Sequence, residues 1–342
     1  MKVPKAKRLP SGMWRVQVQV NGQRLSITGR TKTEAEKQAA AVKSGAAEFQ
    51  APDRKLTLDT AISEYIQIRE NTHSPSTLRG YEIVRKNRFP ELMQREIHSI
   101  KRRDIQQAVD KAAAKYSPKT VANSYGVLTA VLEDYGIKID GVKLPQRQKR
   151  HVQYLSASEI ATLIDAARGD SCELPIVMAL WLGLRRSEIA GLCWDCVDLN
   201  AKTIEIRRTY IQDKNNNYIL REATKTTASQ RTIKCPEYII EKLKAMYHGQ
   251  IGRVFSVAPT TILNHVHKLC KTAGITDTTT HGLRHANAAV MVRLGLTDKT
   301  AMARGGWSSN YTFKQVYAYV FPEDEQDAAK QIDDYIGGLL IG

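Results

Sequence analysis

Four stretches in the second half of the chain carry residue types that phosphoryl transfer uses. The first, Leu182-Gly183-Leu184-Arg185-Arg186-Ser187-Glu188, ends an apolar run. Gly183 permits a sharp turn there, so that Arg185 emerges from an apolar base into a cleft. The second is Thr224-Lys225-Thr226, in a polar turn between two strand-like segments. The third, His281-Gly282-Leu283-Arg284-His285, sets His281, Arg284 and His285 on one helical face at i, i+3 and i+4. The fourth is Gly305-Gly306-Trp307-Ser308-Ser309, with Tyr317 ten residues beyond Trp307. An arginine fork donates paired hydrogen bonds to phosphate oxygens in a way lysine cannot copy. A tyrosine with pKa near ~10 is a weak nucleophile at neutral pH, so it needs cationic neighbours and a base. Taken singly, each residue has a plain structural reading: Arg185 as an ion pair with Glu188, Lys225 as a solvated turn residue, Trp307 as core packing. Only the joint order of the four stretches favours chemistry.

The elements that would position them divide the chain. Near the start, Trp14, Val16, Val18 and Val20 alternate with Arg15, Gln17 and Gln19; after Asn21-Gly22, Leu25 and Ile27 alternate with Arg24, Ser26 and Thr28. This predicts a β-hairpin with a two-residue turn. Thr33 and Glu36 have capping-box spacing and open an Ala-rich helix running to about Phe49. The polar face of such a sheet, with Arg15, Gln17, Gln19 and Arg24, suits a DNA groove; an ordinary solvated face is the plain alternative. After Ala51-Pro52-Asp53, Leu58, Ile62, Tyr65 and Ile66 fall at helical spacing. Further helices are expected near Ser76, at Asp104 and after Ser117-Pro118. Residues 143–151 are basic and contain a proline, as an interdomain linker would, and Arg147, Lys149 and Arg150 could follow a DNA backbone. From Leu155 a mixed segment begins: a helix capped by Ser156 and Glu159, an apolar helix over Leu174–Leu184, a strand over Thr203–Thr209, and strands at Tyr218–Leu220 and Arg231–Lys234 flanking the Lys225 turn. Helices follow to the end. The expected fold is multidomain: a small hairpin or three-stranded sheet plus helix, an all-α segment, and a mainly-α α+β domain.

Charge supplies the partner class. The chain of 342 residues carries a formal charge of +16. Basic residues outnumber acidic ones 12 to 4 over 1–55, 17 to 11 over 56–150, and 22 to 20 over 151–342. The last figure is lowered by residues 323–342, which hold six acids and one lysine. Positive charge in every segment, including Lys101 and Arg102, fits a long polyanion. No run approaches the roughly 18 apolar residues of a membrane span. The basic start lacks the apolar stretch of a signal peptide, and five cysteines are too few and too odd a number for a disulfide framework, so a reducing cytoplasm is expected. Cys193-Trp194-Asp195-Cys196 has metal-pair spacing, but no second pair follows, and no metal is expected. His265 and His267 lie on opposite helix faces.

The four stretches resemble the tyrosine recombinases, or phage integrase family. That family has a first arginine in a Leu-Arg-x-x-Glu setting, matched by Arg185 and Glu188. It has a lysine on a β-hairpin, matched by Lys225, and a His-x-Leu-Arg-His box, matched by His281, Leu283, Arg284 and His285. A Leu-Gly-His-Ser-Ser-like box is matched by Gly-Gly-Trp-Ser-Ser, with Trp307 in place of the common histidine and Ser187 in place of a common glycine. The nucleophile then falls at Tyr317, ahead of its competitors Tyr311, Tyr319 and Tyr335. The resemblance implies a recombinase-type catalytic domain over 153–322 and a core-binding domain over 56–142. It also implies a linker over 143–152, an arm-type DNA-binding module over 1–52, and a tail helix over 323–342 that docks on a neighbouring protomer. Arg185 and Arg284 would grip the non-bridging oxygens, and Tyr317 would attack, leaving a 3′-phosphotyrosyl link. Lys225 would protonate the leaving oxygen, and His281 would assist the tyrosine's proton. His285 and Trp307 would donate to the phosphate, and Glu188 would orient the pocket. The implied activity is that of an integrase, acting on double-stranded attachment sites as a homotetramer, with an excisionase and a DNA-bending host factor as further partners and no cofactor. A dimer resolvase or type IB topoisomerase shares the chemistry, though residues 1–50 argue against a resolvase. A non-enzymatic DNA-binding regulator explains the charge but not the joint set.

Overall fold

The computed structural model describes residues 4–8, 14–20, 23–29, 31–45, 56–147, 155–222, 230–317 and 330, with the side chains of Gln23, Arg24, Thr312, Gln315, Val316 and Tyr317 outside the description. Three strands, β1 (Lys7–Arg8), β2 (Trp14–Val20) and β3 (Gln23–Gly29), form an antiparallel sheet in the order β1-β2-β3. Val16 lies opposite Ile27, and Val18 opposite Leu25. Helix α1 (Lys32–Lys43) covers one face, setting Ala35, Ala39 and Val42 on Val16, Val18 and Ile27. Arg15, Gln17 and Gln19 are exposed on the other face. The helix starts earlier than expected. Thr31 takes the extended N-cap conformation and exchanges capping-box bonds with Glu34, while Glu36 instead accepts the amide of Ala6 at 2.9 Å. The helix stops at Lys43, and the expected continuation to Phe49 lies partly outside the described residues.

Five helices build the next layer: α2 (Leu58–Ile68), α3 (Pro75–Asn87), α4 (Pro90–Met93), α5 (Arg102–Ala113) and α6 (Pro118–Asp134). Thr57, Ser74 and Ser117 cap three of them, each hydroxyl accepting an amide three residues on, with Pro75 and Pro118 in the first turn. Asp104 does not begin α5; its carboxylate accepts the amide of Lys101 at 2.8 Å, one turn back. Leu58, Ile62, Leu92, Ile97, Ile105 and Leu128 are closed from solvent in one core. At roughly 1.5–3 kcal/mol for each such side chain, this burial dominates the local stability. The chain leaving α6 lies against α5, where Gln106 bonds both the amide and the carbonyl of Lys143.

The remaining part contains α7 (Ala157–Ala167), α8 (Glu173–Trp181), α9 (Arg186–Gly191), β4 (Val197–Asp198), β5 (Thr203–Ile206), β6 (Arg208–Gln212), β7 (Tyr218–Glu222), β8 (Arg231–Lys234), α10 (Glu237–Met246), α11 (Pro259–Ala273), α12 (Thr280–Arg293), α13 (Asp298–Gly305) and α14 (Asn310–Tyr317). The apolar helix α8 ends three residues sooner than the sequence suggested, because Gly183 turns the chain at φ +64°. Its side chain must be absent, since a Cβ there would lie 2.5 Å from Asn287 Oδ1. The strands on either side of the Lys225 segment are not partners: β7 pairs with β6, whereas β8 pairs with β5 in the sheet β4-β5-β8. The expected hairpin is thus not formed between β7 and β8 over their described residues, and the turn with Lys225 lies outside the described residues. A main core centres on Ile176, Met178, Leu182, Leu184, Ile189 and Leu283. A smaller one, of Ala288, Met291, Ala301, Trp307 and Phe313, joins α12, α13 and α14. Among the described residues no helix is long and apolar enough to cross a membrane.

Candidate phosphoryl-transfer site

Three of the four sequence stretches converge. Arg185 is the N-cap residue of α9, not the end of α8, with extended backbone there (φ −73°, ψ 146°). Its amide donates to Glu188 Oε2 at 2.9 Å and its Nη1 to Glu188 Oε1 at 2.5 Å. Its Nη2 reaches the carbonyl of Gly306, 2.9 Å away and 121 residues on. Arg284 sits mid-helix in α12, 1% exposed, and its Nη1 donates to the carbonyls of Gly183 and Gly305, the latter at 2.6 Å. The indole of Trp307 lies against it, 4.2 Å from the guanidinium carbon. Trp307 is itself buried and packs on Phe313 of α14, so one side chain links the arginine to the tyrosine's helix.

Arg231 belongs to none of the four stretches, yet it enters the cluster. It opens β8 and is 7% exposed at its side chain. Its Nη2 donates to Glu188 Oε2 at 3.0 Å and its Nε to the carbonyl of Arg304 at 3.1 Å. The carbonyls of residues 304, 305 and 306, at the C-terminal end of α13, thus each accept from a different arginine: Arg231, Arg284 and Arg185 in turn. A helix C-terminus carries unpaired carbonyls and partial negative charge. Here it receives three guanidiniums that would otherwise repel one another. Gly306, at φ +68°, permits this, because a Cβ there would stand 2.6 Å from Arg231 Nη1.

The electrostatics follow from that crowding. Burial alone would push the Glu188 carboxyl up, but Arg231 and Arg185 outweigh it and hold Glu188 below the usual carboxylate range. Arg284 makes no ion pair of its own among the described residues; burial, then Arg185, pull its pKa down to about 9. Two of its donors, Nε and Nη2, are shielded from water and have no hydrogen-bond partner among the described residues. A desolvated cation with idle donors is an anion-binding group. His281 and His285 stand edge to face, ring centroids 4.3 Å apart. Burial, with Arg284, Arg185 and Arg186 nearby, lowers the His281 pKa, and burial with His281 brings His285 down to about 4. Both rings are therefore neutral at pH 7, which leaves each a basic nitrogen.

The other expected residues lie either outside the description or away from the cluster. Tyr317 closes α14 as placed by the spacing, but its side chain, like Lys225, Lys149 and Arg150, lies outside the description, and so does the Arg24 side chain. Tyr311, its competitor, is 75% exposed. Arg147 and Lys101 are exposed, far along the chain from the cluster; Arg102, also exposed, donates to the carbonyl of Gly141. Cys193 and Cys196 are buried free thiols, and burial with Asp195 pushes Cys196 up to about 11, a poor starting point for metal ligation. His265 and His267 pair separately, with Asp170 at 2.7 Å and Asp277 at 2.6 Å. One group of three possible metal ligands occurs among the described residues, Asp170, Cys172 and His265. There Asp170 Oδ1 already accepts from the amide of Cys172 and pairs with His265, as a cap before α8.

A guanidinium cluster on a helix C-terminus, with two neutral histidines beside it and a tyrosine-bearing helix packed through Trp307, has the chemistry to hold an anion such as a phosphate. The chain belongs to the phage integrase family, whose pattern its residues 153–323 match. It is 25% identical over 218 residues to a XerC-like tyrosine recombinase of Caldanaerobacter subterraneus, covering 55% of this chain and 56% of that protein. The chain spans about half the length of the curated relatives it matches. Among solved structures, the Tn1549 transposon integrase bound to transposon right end DNA shares the fold with a TM-score of 0.63 at 18% identity, covering 82% of this chain and 99% of that one. A lambda integrase tetramer bound to a Holliday junction gives 0.56 at 16% identity, over 92% of this chain and 94% of that one. The fold is that of the tyrosine recombinases, with a three-stranded N-terminal sheet and a helical segment ahead of the mixed part.

Proposed function

We propose that this chain is a site-specific integrase. It cleaves and rejoins DNA through a 3′-phosphotyrosyl link at Tyr317, and so integrates or excises a mobile element such as a prophage or conjugative transposon. The observation that carries this reading is Arg284: a buried guanidinium, without an ion-pair partner among the described residues and with two idle donors, set beside Arg185. Such a group is costly unless an anion completes it. In the proposed step Tyr317 attacks the phosphorus, the bond to the 5′ oxygen breaks, and Lys225 delivers a proton to that oxygen. Arg185 and Arg284 hold the non-bridging oxygens as charge grows on them. His281 takes the tyrosine's proton, His285 and Trp307 donate to the phosphate, and Glu188 fixes Arg185. The phosphotyrosyl link retains the energy of the phosphodiester, so rejoining needs no nucleotide cofactor.

The same reading extends along the chain. The exposed face with Arg15, Gln17 and Gln19, together with Arg24, takes an arm site in the DNA. Residues 56–142, with Lys101 and Arg102, and the basic linker through Arg147, Lys149 and Arg150 enclose the core site. Four copies assemble on DNA in the cytoplasm of a bacterial host, the tails after residue 323 docking between neighbours, with an excisionase and a DNA-bending host factor setting direction. The test is a nicked, radiolabelled suicide substrate. The wild-type chain is expected to form a covalent adduct resolved on a denaturing gel, whereas Tyr317→Phe binds the same DNA and forms none. Adduct from the phenylalanine variant would remove Tyr317 as nucleophile, and its absence from the wild type would remove the enzymatic reading.

A further inference from the structure

We propose that Arg231 is a positioning residue for strand cleavage, which acts through Glu188 to hold Arg185 in place; this rests on the reading above. Three facts converge on it. Glu188 is 3% exposed at its side chain, and its Oε2 serves two donors from different elements, the Arg185 amide at 2.9 Å and Arg231 Nη2 at 3.0 Å. A buried carboxylate held from one side only could follow the Arg185 side chain as that arginine engages a phosphate; held from β8 as well, it stays. Arg231 also grips the carbonyl of Arg304 through Nε, one residue before the carbonyl that Arg284 uses and two before the one Arg185 uses. Its fork therefore fixes the carboxylate and the helix end against each other, and these are the two supports on which Arg185 rests.

The third fact is connectivity. Arg231 opens β8 six residues after Lys225, and β8 pairs with β5, not with β7. In the chain, Arg231 thus follows the Lys225 segment and is bonded directly to Glu188, the carboxylate that holds Arg185. Arg231 is 7% exposed at its side chain and engaged by these partners, whereas the Arg185 side chain that they support keeps 37% of its surface open. Lysine at 231 could meet one acceptor but not both, since the two contacts use separate nitrogens of one planar fork.

The experiment compares the wild type with Arg231→Lys, Arg231→Ala, Glu188→Gln and the double variant Arg231→Ala/Glu188→Gln. The measured quantities are single-turnover cleavage of the suicide substrate at saturating protein, DNA affinity by gel shift, and the thermal midpoint. Arg231→Ala is expected to slow cleavage by about tenfold to a hundredfold, the scale on which small misplacements act, with DNA affinity within about twofold of wild type. The double variant should be no slower than the slower single variant, as for residues acting on one another. Arg231→Lys should fall between wild type and alanine, and it carries the test if the alanine variant does not fold. Protonation of Glu188 removes its hold on Arg185, so cleavage fails as pH drops through the Glu188 pKa. Without Arg231 that acid limb should begin at a higher pH. Cleavage by both Arg231 variants within about threefold of wild type would overturn the proposal, as would additive losses in the double variant or DNA affinity falling in step with rate. A wild-type chain that forms no adduct would instead overturn the integrase reading on which this one rests.

Discussion

Arg284 shows how far a single residue departs from what stability alone would choose. A buried charge is tolerated when paired, yet this one is met by two carbonyls and an indole face, with Nε and Nη2 idle. On the proposed reading, that cost is carried by the DNA-free chain and offset when a phosphate arrives. Arg284→Met, similar in length and uncharged, is therefore expected to leave the thermal midpoint of the DNA-free chain within about 2 °C of wild type, or to raise it. Single-turnover cleavage by the same variant should fall by about 10²–10³, as when one transition-state donor is lost. Calorimetry and the suicide-substrate assay read the two effects separately. A midpoint that drops as it does for a large core truncation would mean that Arg284 is chiefly structural.

At the scale of the element, α13 matters out of proportion to its eight residues, because its last carbonyls seat arginines from α9, α12 and β8. Gly306→Ala tests this seat. The left-handed backbone costs about 1–2 kcal/mol for a residue with a side chain, and the new methyl would also crowd Arg231. Gly249 has a similar φ, +83°, with nothing within 4 Å of where a Cβ would stand, so Gly249→Ala should carry the strain alone. Both variants are expected to melt lower, but only Gly306→Ala should lose cleavage; equal activity in the two would detach the turn from catalysis. The elements also show what was legible beforehand. Arg185, Glu188, Arg284 and Trp307 were readable because each lies in a short stretch with its own spacing, and Gly183 because a glycine after an apolar run marks a turn. Arg231 left no such trace, since an arginine at the start of a strand reads as a solvated face, and its acceptors are a distant carboxylate and a backbone carbonyl. The first helix was misplaced by two residues for a related reason: Thr31 and Thr33 each have a glutamate three positions on, and only backbone geometry chooses between them. The pairing of β8 with β5 was likewise invisible, because strands adjacent in sequence suggest a hairpin.

The molecule as a whole is a basic chain with an acidic end. Residues 323–342 reverse the sign that prevails elsewhere, and Ala328, Ile332, Ile336 and Leu339 recur at helical spacing. An acidic, amphipathic tail suits a basic neighbour of the same kind. Deletion after residue 324 is expected to weaken assembly of four copies on DNA by at least several-fold in native gels, while a single copy still binds and cleaves a half-site; undiminished assembly would place the tail elsewhere. The clasp on α13 has a further consequence, which concerns the order in which the chain is made. Arg185, Arg231 and Arg284 all leave the ribosome before residues 304–306, whose carbonyls they require. Until that late turn is synthesised, the three arginines have no common anchor, so the pocket is built last. On the proposed reading, a chain that ends before residue 304 would keep its basic front for DNA while lacking the seat that organises the arginines for cleavage.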